Sequence, residues 1–209
     1  MAADNTSPQG GFTLIEVLVA LLVLTVGLLG LVGVQVVAQN AELESYQRAQ
    51  AMVLMNDIVD RINSNRKAAA CYAITTSASA GTPYLGATGA GQYNTGSFSC
   101  PSLVTNPTAV ATAQTDVQLI EQMLQGAGET TSGNRIGSMI GARACVGFDT
   151  ASQSYTVAIA WQGITATFSP ASWDATINPA IARNCALNLY GSDSQRRVVW
   201  TTLLVASLQ

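Results

Sequence analysis

The chain has 209 residues, nine of them basic and twelve acidic, a net charge of −3 and no histidine. The missing histidine excludes Ser-His-Asp and Cys-His catalysis and every His-containing metal site. From residue 71 onward five arginines (Arg135, Arg143, Arg183, Arg196, Arg197) face six acids (Asp116, Glu121, Glu129, Asp149, Asp174, Asp193). That balance is no electrostatic footprint for nucleic acid, although Arg196-Arg197 stays open as a small local basic patch.

The first predicted element is an apolar helix. From Phe12 to Val37 there is one charge, Glu16, and the only other polar side chains are Thr13, Thr25 and Gln35. At about 1.5 Å per residue this run is long enough to cross a hydrocarbon layer of roughly 30 Å with some tilt. A carboxylate near the start of such a span is costly and is a functional candidate by default.

The segment Gly11-Phe12-Thr13-Leu14-Ile15-Glu16, followed by this run, resembles the type III signal sequence of type IV pilin-like proteins. The resemblance implies a leader over residues 1–11, cleaved after Gly11 by a prepilin peptidase. It also implies N-methylation of the new N-terminus at Phe12 and a role for Glu16 in docking the subunit into a filament. The physics supports this. A free amine at Phe12 and the Glu16 carboxylate are opposite charges in an apolar setting, each costly alone and less so when paired. An amine meeting the Glu16 of a neighbouring subunit would set register. The plainer reading is that Glu16 reaches the headgroup layer from the helix end.

Residues 1–11 carry no Lys or Arg and one acid, Asp4, so charge alone gives no orientation. A secretory signal would need a basic start, a short apolar stretch and a small-residue cut after it. Here the implied cut precedes the apolar run, which would remain as an anchor over residues 12–38.

Gly27, Gly30 and Gly33 interrupt the stem, each costing about 1 kcal/mol relative to alanine inside a helix. Their spacing of three is not that of a GxxxG motif. Close packing against neighbouring helices is one explanation. Partial unwinding on assembly, as the resemblance implies, is the other.

Beyond the stem an amphipathic shaft is predicted over residues 39–70. Met52, Met55, Val59 and Ile62 mark one apolar stripe, and Glu44–Arg48 and Asp57–Arg61 are acid-to-base pairs at i, i+4. The helix is expected to end near Asn65, giving about 80 Å from Thr13.

Residues 71–209 read as a globular head. Its four cysteines, Cys71, Cys100, Cys145 and Cys185, are widely spaced without a CxxC pair, which argues against zinc. An even count beyond an anchor suits two disulfides in an oxidising compartment. Three pairings exist; Cys71–Cys100 and Cys145–Cys185 are expected because each closes a local loop, and such a bridge typically contributes about 2–4 kcal/mol. Asp149 to Gln153 lacks the acid spacing of a calcium loop. No metal or cofactor is expected.

Residues 73–114, rich in Ala, Thr, Ser and Gly, read as a long irregular surface insertion, with Tyr84, Tyr93 and Phe98 pinning it to the head or forming a contact surface. A short helix is predicted next, with Thr115 and Gln118 as a capping box, Val117, Ile120, Met123 and Leu124 as the inner face, and Gly126 and Gly128 as the stop. Strands are expected at Arg143–Phe148, Ser154–Gln162 and Val198–Val205. In the second, Tyr155, Val157, Ile159 and Trp161 alternate onto one face, and the turn Asp149–Gln153 makes the first two antiparallel. The fold class is α+β and pilin-like: a long N-terminal helix packed on an antiparallel sheet.

The stem, the short helix ending in Gly-x-Gly, YTVAIAWQG and the terminal RRVVWTTLLV together resemble the PilV branch of minor pilins. That resemblance implies a non-enzymatic subunit that helps prime pilus assembly at the inner membrane, with its head in the periplasm, and that then sits at or near the pilus tip. Its implied partners are other minor pilins, the major pilin, the prepilin peptidase/methylase, the inner-membrane assembly platform and membrane lipid before assembly. A minor pseudopilin of a type II secretion system shares nearly the same N-terminus. An adhesive or DNA-binding tip pilin is the third reading, and the weak basic balance argues against its DNA form. No acid pair or nucleophile with readable spacing suggests an enzyme.

Overall fold

The computed structural model describes residues 11–126, 130–131, 134–135 and 139–206, the second and third of these segments as backbone strands only. By its internal contacts the chain divides into two units, Met1–Leu43 and Glu44–Gln209. The leader, apart from Gly11, lies outside the described residues, as do Gly128 and Glu129.

Helix α1 spans Leu14–Ser64 and contributes to both units. From Val17 to Ala38 it is apolar on every side but for Thr25 and Gln35, and no residue from Leu14 to Leu43 is buried. An all-round apolar helix has no water-facing side, so its partners must be lipid or other helices. Burial begins in the second unit, at Gln47, Ala51, Ile58 and Ile62. These recur at steps of four, seven and four and so form one stripe facing the head. The α-helix stops at Ser64 and gives way to 3-10 turns over Arg66–Tyr72.

The head is built on a four-stranded antiparallel sheet. Strand β1 is Leu85–Gly86, and helix α2 follows at Pro107–Leu124. Strands β2 (Thr130–Thr131) and β3 (Asn134–Arg135) form a separate small ladder. Strands β4 (Arg143–Asp149) and β5 (Ser154–Gln162), helix α3 (Ala180–Asn184) and strand β6 (Arg196–Leu203) complete the fold. The sheet order is β1-β4-β5-β6, with Cys145 opposite Ala158 and Ala158 opposite Trp200. A long apolar N-terminal helix with an antiparallel sheet is the α+β, pilin-like architecture expected from the pattern.

Strand β5 is buried on both faces. Tyr155, Val157, Ile159 and Trp161 join one core cluster with Ile58 and Ile62 of α1 and Val117, Ile120 and Leu124 of α2. Ala158 and Ala160 face a second cluster with Ile181, Ala182 and Cys185. The large residues take the face where helices supply volume, and alanines take the face where a short segment lies close. Gly147 shows how close: a Cβ there would sit 2.0 Å from Ile181 Cδ1. Disulfides join Cys71 to Cys100 and Cys145 to Cys185. The second fixes α3 over the alanine face.

Three expectations need correction. Helix α2 begins at Pro107, not beside Thr115: Asn106 caps it by accepting from the Ala109 N–H at 3.0 Å, and Pro107 takes the first helical position. The Thr115 hydroxyl instead donates to the Ala111 carbonyl at 3.0 Å, one turn back inside the helix. Residues 73–114 are not merely a surface insertion, because Leu85–Gly86 adds an edge strand to the sheet. Tyr84 is fully buried, and Tyr93 and Phe98 pack against the first cluster. The third strand starts two residues earlier than predicted, at Arg196.

Candidate processing and assembly site

The sequence-predicted residues lie at the entry to α1. Gly11, Phe12 and Thr13 precede the helix, and Phe12 is 85% exposed. The Thr13 carbonyl accepts the N–H groups of Glu16 at 3.1 Å and Val17 at 3.4 Å, which closes the first turn. Glu16 lies in that turn, where the positive end of the helix dipole favours a carboxylate. An exposed Gly11–Phe12 bond outside the helix and just before its start is one a peptidase can reach.

Glu16, Ala20, Gly27 and Gly30 recur at steps of four, seven and three, and so share a face of α1. Gly33 falls off that face. A Cβ at Gly27, Gly30 or Gly33 would meet nothing within 4 Å, so no contact among the described residues requires glycine there. The helix runs through all three without a break. Whatever makes glycine useful acts between this chain and its surroundings.

The helix is long and apolar enough to cross a membrane, and none of its most apolar window is buried. The structure thus brings Gly11, Phe12 and Glu16 together within one helical turn and its approach. The glycines lie further along the same unit. Both disulfides lie in the other unit.

That other unit is held by polar clamps that sequence spacing did not reveal. Glu44 does not pair with Arg48, contrary to expectation. Its Oε1 accepts from the N–H of Ile164 (3.1 Å) and of Thr165 (3.2 Å), from the Thr165 hydroxyl (3.1 Å) and from Arg197 Nη2 (3.0 Å). Four convergent donors outcompete one flexible arginine on the same helix. Burial pushes the Glu44 carboxyl up, but the Thr165 N–H and the Arg197 guanidinium outweigh it and hold it below its ordinary range.

The Asp57–Arg61 pair does form, at 2.7 Å, and Arg61 also reaches Asp116 at 2.6 Å. Asp116 in turn accepts the Tyr72 hydroxyl at 2.5 Å, and burial with this carboxylate raises the Tyr72 phenol well above its usual range. Glu121, buried on α2, accepts from the Gly86 N–H at 3.0 Å and from Gln92 at 2.6 Å, tying β1 to the helix. Arg143 lies between the rings of Tyr84 and Tyr190, 5.2 and 4.9 Å from their centroids.

Arg196-Arg197 is no free basic patch. Arg196 is fully buried, paired to Asp193 at 2.6 Å and donating to the carbonyls of Cys185 and Arg183, while Arg197 is bound to Glu44. The only sequence signal for these clamps was the presence of charge inside an otherwise β-branched run, which local pattern cannot pair with its distant partners.

Residues 6–32 match the family model described as the prokaryotic N-terminal methylation motif. The matched segment covers Gly11, Phe12, Glu16, Gly27 and Gly30 and ends one residue before Gly33. The motif supports a type IV pilin-like protein, either pilin or pseudopilin, and with the apolar helix it fits membrane anchoring. Comparisons with curated proteins and with solved structures give no match.

Proposed function

We propose that this chain is a non-enzymatic minor pilin of the PilV type, a subunit that helps prime a type IV pilus and remains at or near its tip. The observation that carries the reading is the placement of Gly11, Phe12 and Glu16 at the entry of a helix whose apolar first stretch is exposed, within a matched methylation motif.

In this reading the chain inserts with its head in the periplasm. A prepilin peptidase hydrolyses the Gly11–Phe12 peptide bond, leaving a free amine on Phe12, which the same enzyme class methylates. The helix then leaves lipid for a bundle of like helices. There the Phe12 ammonium and Glu16 carboxylates of adjacent subunits neutralise each other, because either charge alone in that apolar setting is costly. The head, closed by two disulfides that suit an oxidising compartment, selects which subunits it meets.

The test is unreduced mass analysis of the chain from membranes and from sheared surface filaments. A chain starting at methylated Phe12 and present in the filaments is expected. A processed chain confined to the envelope would favour a pseudopilin of a secretion system. An uncleaved chain would end the pilin reading. Gly11→Ala should leave the full-length chain in the membrane.

A further inference from the structure

Among the described residues strand β6 is hydrogen-bonded to β5 on one side only and forms one edge of the sheet. The opposite edge, β1, is two residues long and blunt. β6 is not blunt. Its Val198–Leu203 stretch carries no proline, lysine or other charge, the devices that usually protect an edge from pairing. Its two arginines are committed elsewhere, to Asp193 and Glu44.

A groove follows this edge. One cavity of about 650 Å³ is lined by Val198, Val199 and Trp200 in succession. Successive strand residues point to opposite faces, so a single cavity touching all three must wrap around the strand's edge. Met52 and Met55 of α1, and Phe168 and Trp173 from a third stretch of chain, also line it. A second cavity of about 500 Å³ continues it, sharing Arg48, Phe168, Trp173, Val198 and Val199. Phe168 is 69% exposed and leaves a large apolar side chain open at the groove.

Charge in the groove is nearly all committed. Asp174 accepts from the Thr176 N–H at 2.8 Å and from its hydroxyl at 2.7 Å, and Glu44, Arg196 and Arg197 are engaged as described. Arg48 is exposed, lines both cavities and has no ion pair or hydrogen bond among the described residues. Glu44, its nearest acid along the helix, is already bound to Arg197 and the 164–165 loop.

We infer that the β6 edge is a strand-addition site for an extended segment of another filament subunit, bearing alternating apolar side chains and one Asp or Glu. Its backbone pairs with the free groups of Val198–Leu203. Its apolar residues fill the spaces against Met52–Met55 and Phe168–Trp173, and its carboxylate meets Arg48. Main-chain bonds supply affinity and the flanking pockets supply choice. The inference rests on the filament reading above for the source of the segment.

The experiment places the photo-crosslinking residue p-benzoylphenylalanine at Phe168 of the full-length chain in filament-producing cells, with Leu103, 91% exposed and remote from the groove lining, as the control position. Adducts are mapped by peptide mass spectrometry. The expected product is a peptide of a different filament subunit containing Asp or Glu. Adding Arg48→Glu should reduce its yield at least fivefold, and reversing the partner's acid to Arg should restore it. Arg48→Ala, which introduces no repulsion, should reduce it less. No adduct above the Leu103 control would overturn the inference, as would adducts with lipid or with a second copy of this chain, or a yield indifferent to Arg48→Glu. The N-terminal mass of the same material separates the two claims: an uncleaved chain defeats the pilin reading, whereas a cleaved chain without the adduct defeats the groove alone.

Discussion

Leu14–Leu43 and Glu44–Ser64 belong to one continuous helix, yet the first stretch buries no side chain and the second buries a regular stripe. Among the described residues the first has no partner within its own unit, while the second has a sheet and a second helix. Helical propensity is therefore not what separates them. The apolar surface of the first stretch is reserved for lipid or neighbouring helices, and that of the second is used up in folding. Substitutions in the two stretches should fail different assays.

The largest effect is expected at Glu16. Breaking a buried ion pair by removing one partner costs about 3–5 kcal/mol, a few hundredfold or more in a docking equilibrium. Glu16→Ala should be cleaved and methylated normally yet nearly vanish from sheared filaments. Mass analysis and immunoblotting of membrane and filament fractions check both halves. Normal incorporation would reduce Glu16 to a headgroup-reaching residue.

A matched pair of truncations sharpens the contrast. Ile62→Ala, at a fully buried site in the first cluster, should destabilise the head by about 2–5 kcal/mol. Leu29→Ala, at a position 72% exposed, should leave the head's unfolding unchanged. Thermal unfolding of the full-length chain in detergent, followed by near-ultraviolet circular dichroism, reads both. Equal losses would mean that the two stretches are not energetically distinct.

Removing the Cys145–Cys185 bridge by Cys145→Ala with Cys185→Ala should cost about 2–4 kcal/mol in the same unfolding assay. The loss belongs to the head and should leave N-terminal cleavage untouched. Unchanged unfolding would show that Gly147 and the alanine face hold α3 without help.

These positions also show what the sequence can and cannot disclose. The stem and β5 were legible because each carries one period over many residues: an unbroken apolar run, and strict alternation from Tyr155 to Trp161. The start of β6 was hidden because Arg196 and Arg197 look like solvent charges, and only the folded chain supplies Asp193 and Glu44 to accept them. The start of α2 was hidden because its cap, Asn106-Pro107, lies within the Ala/Thr-rich stretch that reads as a surface insertion. The second core face, under α3, has almost no local signal. It combines alanines with Tyr84, Ile181 and Tyr190 from distant stretches, around a disulfide between residues 40 positions apart. At the candidate site the reverse holds. Gly11, Phe12 and Glu16 are local in sequence, so spacing alone found them. The groove at β6 is assembled from three separate stretches, so spacing could not.

The smallest expected effect concerns Glu44, where the head unit begins. Its folded-state pKa is held below the ordinary value of 4.5 by the Thr165 N–H and Arg197, against the upward push of burial. A depressed carboxyl contributes stability that is fully present above its unfolded value and is lost as pH falls through the folded one. The Glu44 contribution should therefore be constant at neutral pH and fade only below about pH 4.5. For a half-buried clamp at the edge of solvent its size should be about 1 kcal/mol. Glu44→Gln keeps an acceptor oxygen for the 164–165 loop but removes the charge facing Arg197. It should lower stability slightly at pH 7 and flatten that part of the acid response, while Asp193, also held low by Arg196, still titrates. An acid profile identical to that of the unaltered chain would show that the loop contacts matter and the charge does not. Because the clamp lies in the head, the same variant should be processed at Gly11–Phe12 as before. A processing defect would mean that the two units are coupled after all.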